Sequence, residues 1–155
     1  MLFDRRQRLV QASSQTVFQV FASLGGERGW LCMNWAWRLR AQFDGLLGGV
    51  GLRQARPPTG DLRVNDIVDS WRVECVESGC LLRLRAEMKL PGRGWLEFAT
   101  EPRSEGCSQL TQTAFLEPRG VGGWLYWHSF YPAHHLIFGG LLHRIAKIAE
   151  SSSAS

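Results

Sequence analysis

The chain has 155 residues, of which 45% are hydrophobic and 11% aromatic, and a formal net charge of +4. That is the size of one domain with apolar surface for one sizeable core, which excludes disorder over its body. No run nears the roughly 18 consecutive apolar residues of a membrane span. Met1–Gln11 carries Arg5, Arg6 and Arg8 without the apolar stretch of a signal peptide, so a cytoplasmic protein is expected.

The basic excess is almost all arginine, with only Lys89 and Lys147 as lysines, and it is scattered along the chain. Nucleic-acid binding uses basic residues gathered on a stripe or patch, so no nucleic-acid partner is expected. Cys32, Cys75, Cys80 and Cys107 contain no C-x-x-C pair and are read as free, buried thiols in a reducing compartment.

Phe3–Val10 reads as a first strand whose arginines crowd the alternation. Ser13 or Ser14 can cap a helix in which Val17, Val20, Phe21 and Leu24 form one apolar face and Gly25-Gly26 ends the run. A second helix is expected over about Asn34–Leu47, with Trp35, Leu39, Phe43 and Leu46 at helical spacing. Gly48–Gly60 holds four glycines and the Pro57-Pro58 pair and reads as a loop or lid. It lacks the G-K-[ST] of a phosphate-binding loop.

The period then switches to two. Ile67, Trp71, Val73 and Cys75 share one face of a strand, with Asp69 as the exception. Ser78-Gly79 turns the chain, and Leu82, Leu84, Ala86 and Met88 share a face of the next strand. Trp95–Thr100 and Cys107–Leu116 follow, separated by a turn at Ser104–Gly106, and complete a four-strand meander. Val121–Glu150 returns to helical character, with Trp124, His128, Tyr131, His135, Phe138 and Leu142 along one side. Pro132 predicts a kink near Tyr131 or two consecutive helices, and Ser151–Ser155 an unstructured tail. A single domain over 1–150 is expected, of α+β class with helices on one face of the sheet.

The order of strand, two short helices, meander and closing helix resembles the START-like, or helix-grip, superfamily. There a curved antiparallel sheet grips a long C-terminal helix, leaving a cavity of the polyketide-cyclase kind. The runs NWAWRLR (34–40), LRAEMKLPG (84–92), WLEF (95–98), LTQTA (110–114) and YPAH (131–134) are similar to an uncharacterised family. That family is often fused C-terminally to short-chain-dehydrogenase-like NAD(P)-binding domains. The resemblance covers about Arg5–Ile148 and brings no catalytic residues. No G-x-G-x-x-G follows a strand here, so no nicotinamide or other cofactor is expected within the chain.

Seven tryptophans suit either a core or an aromatic cavity lining. The ligand-lining candidates are Trp35, Trp71, Met88, Phe98, His128, Tyr131 and His135. His128 and His135, seven apart, are candidate general bases. A metal would need a third ligand such as Glu87 or Glu97, and no metal site is expected. Arg83, Arg85 and Glu87 read as cross-strand ion pairs on a solvated face, with an anion-binding arginine in the cavity as the alternative.

The expected function is therefore binding of a small apolar or amphipathic ligand between the sheet and the last helix. The alternatives are a cyclase- or dehydratase-type enzyme using a cavity His or Glu, and an accessory domain docking on an NAD(P)-dependent oxidoreductase. No membrane partner is expected, and surface aromatics allow a homodimer.

Overall fold

The computed structural model describes residues 2–24, 46, 61–69, 71–87 and 90–154. In chain order the elements are β1 (Leu2–Val10), α1 (Ser14–Phe21), β2 (Ile67–Val68), β3 (Trp71–Glu77), β4 (Leu81–Ala86), β5 (Gly92–Ser104), β6 (Cys107–Pro118) and α2 (Gly120–Ala154). The strands form one antiparallel sheet in the order β1-β6-β5-β4-β3-β2, so the first strand returns beside the last. With the long closing helix this is the α+β helix-grip architecture expected from the sequence.

Helix α1 starts where Ser13, in extended conformation, accepts the Thr16 backbone N–H on its Oγ at 3.2 Å. The bond satisfies one of the amides left free in a first helical turn. Val17, Phe18, Val20 and Phe21 are buried. Phe21 stacks on Phe98 of β5 at 5.5 Å between ring centroids, which ties the short helix to the sheet. The second expected helix, 34–47, lies outside the described residues apart from Leu46, an exposed helical position. The expected lid at 48–60 lies outside them as well.

Three expectations are corrected. The single strand through Ile67 and Cys75 is two, because Asp69 adopts a positive φ of 53° and the chain reverses so that Ile67 pairs with Arg72. The β3–β4 register shifts between Val73 and Cys75. This bulge returns Val76, opposite Leu82, to the face of Trp71 and Val73 and puts Cys75, opposite Arg83, on the other face. Finally, of the two arrangements expected at Pro132, α2 is one continuous helix of 35 residues and not two consecutive helices. It runs on through Ser151 and Ser152 to Ala154, where the sequence predicts a tail.

The core lies between the sheet and the C-terminal half of α2. Leu82, Leu84, Leu96, Phe98 and Leu110 of the sheet are buried with Leu141, Leu142, Ile145, Ala146 and Ala149 of the helix. At the other end, the first turn of α2 lies tight against the start of β5. A Cβ on Gly123 would stand 2.4 Å from the Pro91 carbonyl oxygen, so only glycine fits there. Among the described residues no helix is long and apolar enough to cross a membrane.

Candidate functional site

The sheet has two chemically distinct faces. Outside, strand neighbours form a ladder of ion pairs. Arg83 Nη2 lies 2.6 Å from Glu97 Oε2, Arg72 Nε donates to Glu87 at 2.7 Å, and Arg93 donates to both oxygens of Glu117 at 2.9 Å. The hydrogen bond to Glu97 holds the Arg83 proton more tightly than usual, with the Glu97 and Glu74 charges adding to it and partial burial opposing. Trp95 also faces outward, its indole N–H donating to Glu74 at 3.1 Å. Arg83 is thus a structural ion-pair partner on the outer face.

The inner face is set by register. Arg6 of β1 stands opposite Gln112 of β6, and Gln112 opposite Phe98 of β5, which pairs with Leu82 of β4. The rows on either side run Asp4–Ala114–Leu96 and Arg8–Leu110–Thr100. An apolar sheet face is therefore bordered, on its β1 edge, by Asp4, Arg6 and Arg8. The helix closes over that border. Arg6 Nη2 lies 2.8 Å from Asp4 Oδ2 and 2.9 Å from His135 Nδ1, while Arg8 Nη1 meets His143 Nδ1 at 3.1 Å. A guanidinium can only donate, so both imidazoles accept on Nδ1 and carry their proton on Nε2.

Within this face two hydroxyl or amide groups stand out. Gln112 is 1% exposed and Thr100 4%, and neither Gln112 Oε1 nor Thr100 Oγ1 has a hydrogen-bond partner among the described residues. Arg6 Nε is likewise buried and without an acceptor among them. Native interiors seldom leave such groups unmatched, since each costs about 1–3 kcal/mol. By contrast Ser108, fully buried nearby, donates to the Ala12 carbonyl at 2.8 Å.

The sequence-derived candidates fall in three places. Trp71 and Phe98 are buried on the inner face of β3 and β5. His128, Tyr131 and His135 lie on the exposed side of α2, where His128 sits against Trp124 at 4.2 Å and Tyr131 is 39% exposed. Only His135 reaches the sheet, through Arg6. Trp35 and Met88 are outside the described residues.

Of the helix face expected from the sequence, Phe138 and Leu142 are buried while Trp124, His128, Tyr131 and His135 are exposed, so the N-terminal half is rotated from the expected phase. Trp127, Phe138, Leu141 and Ile145 are buried, and the half-buried imidazole among them is His134, whose ring lies 5.4 Å from Phe138 and 6.0 Å from Trp127. Sequence reasoning did not single out His134, Gln112, Thr100, Asp4 or Arg6. Among the described residues no three His, Cys, Asp or Glu side chains gather as metal ligands. An open depression of about 440 Å³ lies beside Arg144, Lys147, Ile148, Ser151 and Ser152 towards the end of α2.

A family model described as a protein of unknown function, DUF2867, matches residues 1–141. No curated protein matches the sequence. Among solved structures, the protein NE0264 from Nitrosomonas europaea aligns with a TM-score of 0.60 and 13% identity over 99% of this chain and 97% of that one. Norcoclaurine synthase from Thalictrum flavum gives 0.57 and 12% over 95% and 85%, and the Aha1 dimer from Colwellia psychrerythraea 0.55 and 10% over 97% of each. At these identities the likeness is one of fold.

Proposed function

The chain belongs to the DUF2867 family, and from that footing we propose that it binds a small apolar or amphipathic molecule between the inner sheet face and α2. The observation that carries this reading is the pair of buried, unmatched polar atoms, Gln112 Oε1 and Thr100 Oγ1, on an otherwise apolar face. Ligand sites combine an aromatic and aliphatic lining with a few polar groups that orient the guest. Trp71, Phe98, Trp127 and Phe138 supply the first; Gln112, Thr100 and His134 supply the second. Trp35 and Met88 remain proposed lining residues from the sequence, and His135 acts at the rim by holding Arg6. Norcoclaurine synthase, of the same fold, has been solved in complex with dopamine and hydroxybenzaldehyde, which supports small aromatic guests as a class to test.

The test is native mass spectrometry of protein purified from its host, followed by extraction and identification of what co-purifies. A stoichiometric small molecule supports the reading. A chain that emerges empty and also takes up no apolar fluorescent probe refutes it.

An enzymatic reading of cyclase or dehydratase type is favoured by one feature, the half-buried His134 imidazole facing the same apolar surroundings. It requires that His134→Gln abolish turnover of a bound polyketide-like substrate while leaving its affinity intact. A docking reading is favoured by Val121, Trp124, Leu125 and Leu136, which share an exposed side of α2. A second copy of the chain is the occupant proposed, since the Aha1 protein of the same fold is a dimer. Sedimentation velocity decides it: a dimer that Trp124→Ser dissociates supports this reading, and a monomer refutes it. The oxidoreductase-docking alternative is tested separately by co-purification with a short-chain-dehydrogenase-like protein encoded nearby.

A further inference from the structure

We propose that the polar group of the ligand is an uncharged hydroxyl, of an alcohol or phenol, seated between Arg6 and Gln112. The inference rests on the small-molecule reading above and names the chemistry of its guest.

Arg6 and Gln112 are direct partners across β1 and β6. Such pairs on one sheet face bring their Cβ atoms to about 5 Å, so one small group can reach both side chains. The Arg6 guanidinium is partly committed: its Nη2 serves Asp4 at 2.8 Å and His135 at 2.9 Å. Its Nε is a buried donor without an acceptor among the described residues, and at the paired position on β6 Gln112 Oε1 is a buried acceptor without a donor among them. Phe98, fully buried, stands on the other side of Gln112 and offers an apolar surface to the body of the guest.

A group that completes this pair must accept from N–H and donate to C=O at the same time. A hydroxyl does both with one oxygen. A carboxylate only accepts, so it would leave the Gln112 oxygen without a donor. An ammonium only donates and would meet the guanidinium. The Asp4 carboxylate already balances Arg6 directly, which weakens the pull of that guanidinium on an anion.

The experiment titrates the full chain with para-butylphenol, para-butylbenzoate and butylbenzene, reading tryptophan fluorescence and backbone amide shifts near Phe98 and Gln112. The same series is run on Gln112→Leu, which replaces a buried amide with an unmatched oxygen by an apolar side chain of similar size and is expected to fold. The phenol should bind about tenfold more tightly than either of the other two. Gln112→Leu should remove that advantage, so that the phenol binds no better than butylbenzene to the variant. If all three bind alike, or the benzoate binds best, the hydroxyl inference is overturned and the small-molecule reading stands; equal binding would also mean that Arg6 and Gln112 satisfy each other. If none binds either protein, both readings fall together.

Discussion

The Arg6 guanidinium on β1 joins two partners that the sequence separates widely, the Asp4 carboxylate at 2.8 Å and the His135 imidazole at 2.9 Å. The arginine thereby fastens the edge strand to α2. Asp4 and Arg6 side chains are only 10% and 18% exposed, so their attraction is weakly screened and each depends on the other for compensation. Arg6→Met should cost about 2 kcal/mol in urea unfolding because it leaves a nearly buried carboxylate unpaired. Adding Asp4→Asn should restore at least part of that loss. An Arg6→Met midpoint equal to wild type would mean that the pair is solvent-screened.

Phe98 is fully buried, central in the inner face and stacked on Phe21. Phe98→Ala removes the ring that joins α1 to the sheet, and the cavity it leaves should lower stability by about 3–5 kcal/mol. The check is chemical denaturation followed by both far-UV and near-UV circular dichroism. Loss of less than about 1 kcal/mol would show that the site collapses around the deletion, and would weaken the role of Phe98 as a fixed wall.

How much of this was legible beforehand follows from where periodicity had one solution. The strands from Leu82 to Leu116 alternate cleanly, and their register then dictates which residues share the inner face. The first strand is different. Alternation by hydrophobicity would bury Phe3 and Leu9, yet these are exposed and Asp4, Arg6 and Arg8 face inward, because their charges are met by one another and by α2. The helix face is right at Phe138 and Leu142 and misphased before them for a related reason: its N-terminal half carries two aromatic stripes, Trp124–His128–Tyr131–His135 and Trp127–His134. Extending the unambiguous C-terminal set, Leu141, Ile145 and Ala149, backward by threes and fours would have chosen the second stripe and exposed His134 as the inward imidazole. The β3 bulge leaves no comparable sequence signal, whereas the reversal falls at Asp69, the one residue that broke the alternation of that run.

Cys80 lies in the β3–β4 turn, and its thiol pKa is raised, first by partial burial and then by the Glu77 carboxylate through charge and hydrogen bonding. A raised pKa means less thiolate at a given pH, and the thiolate is the nucleophile. Glu77→Gln removes the carboxylate contribution and keeps the side-chain shape, so Cys80 should be alkylated several-fold faster at about pH 8, near the ordinary thiol range. Peptide mass spectrometry after timed iodoacetamide quenching measures this at Cys80 separately from Cys75 and Cys107. An unchanged or slower rate would assign the shift to burial and the Glu101 charge without Glu77.

The outer-face pair Arg83–Glu97 has a geometry as close as the inner pair, 2.6 Å against 2.8 Å for Arg6–Asp4. Distance alone would make the two equal. Their surroundings differ at the arginine: the Arg83 side chain is 42% exposed against 18% for Arg6, while Glu97 at 17% is nearer to Asp4 at 10%, so water screens the Arg83 charge and holds down the net gain. Arg83→Met should therefore cost less than about 1 kcal/mol, and most of that loss should vanish in about 1 M NaCl, where the screening length falls to roughly 3 Å. The Arg6→Met loss should persist in the same salt, because it arises from an uncompensated carboxylate that solvent ions reach poorly. Parallel urea titrations of both variants at low and high salt make the comparison. Equal, salt-insensitive losses would mean that the outer ladder is as desolvated as the inner face, and the contrast that singles out the Arg6 border as a place for ligand recognition would disappear.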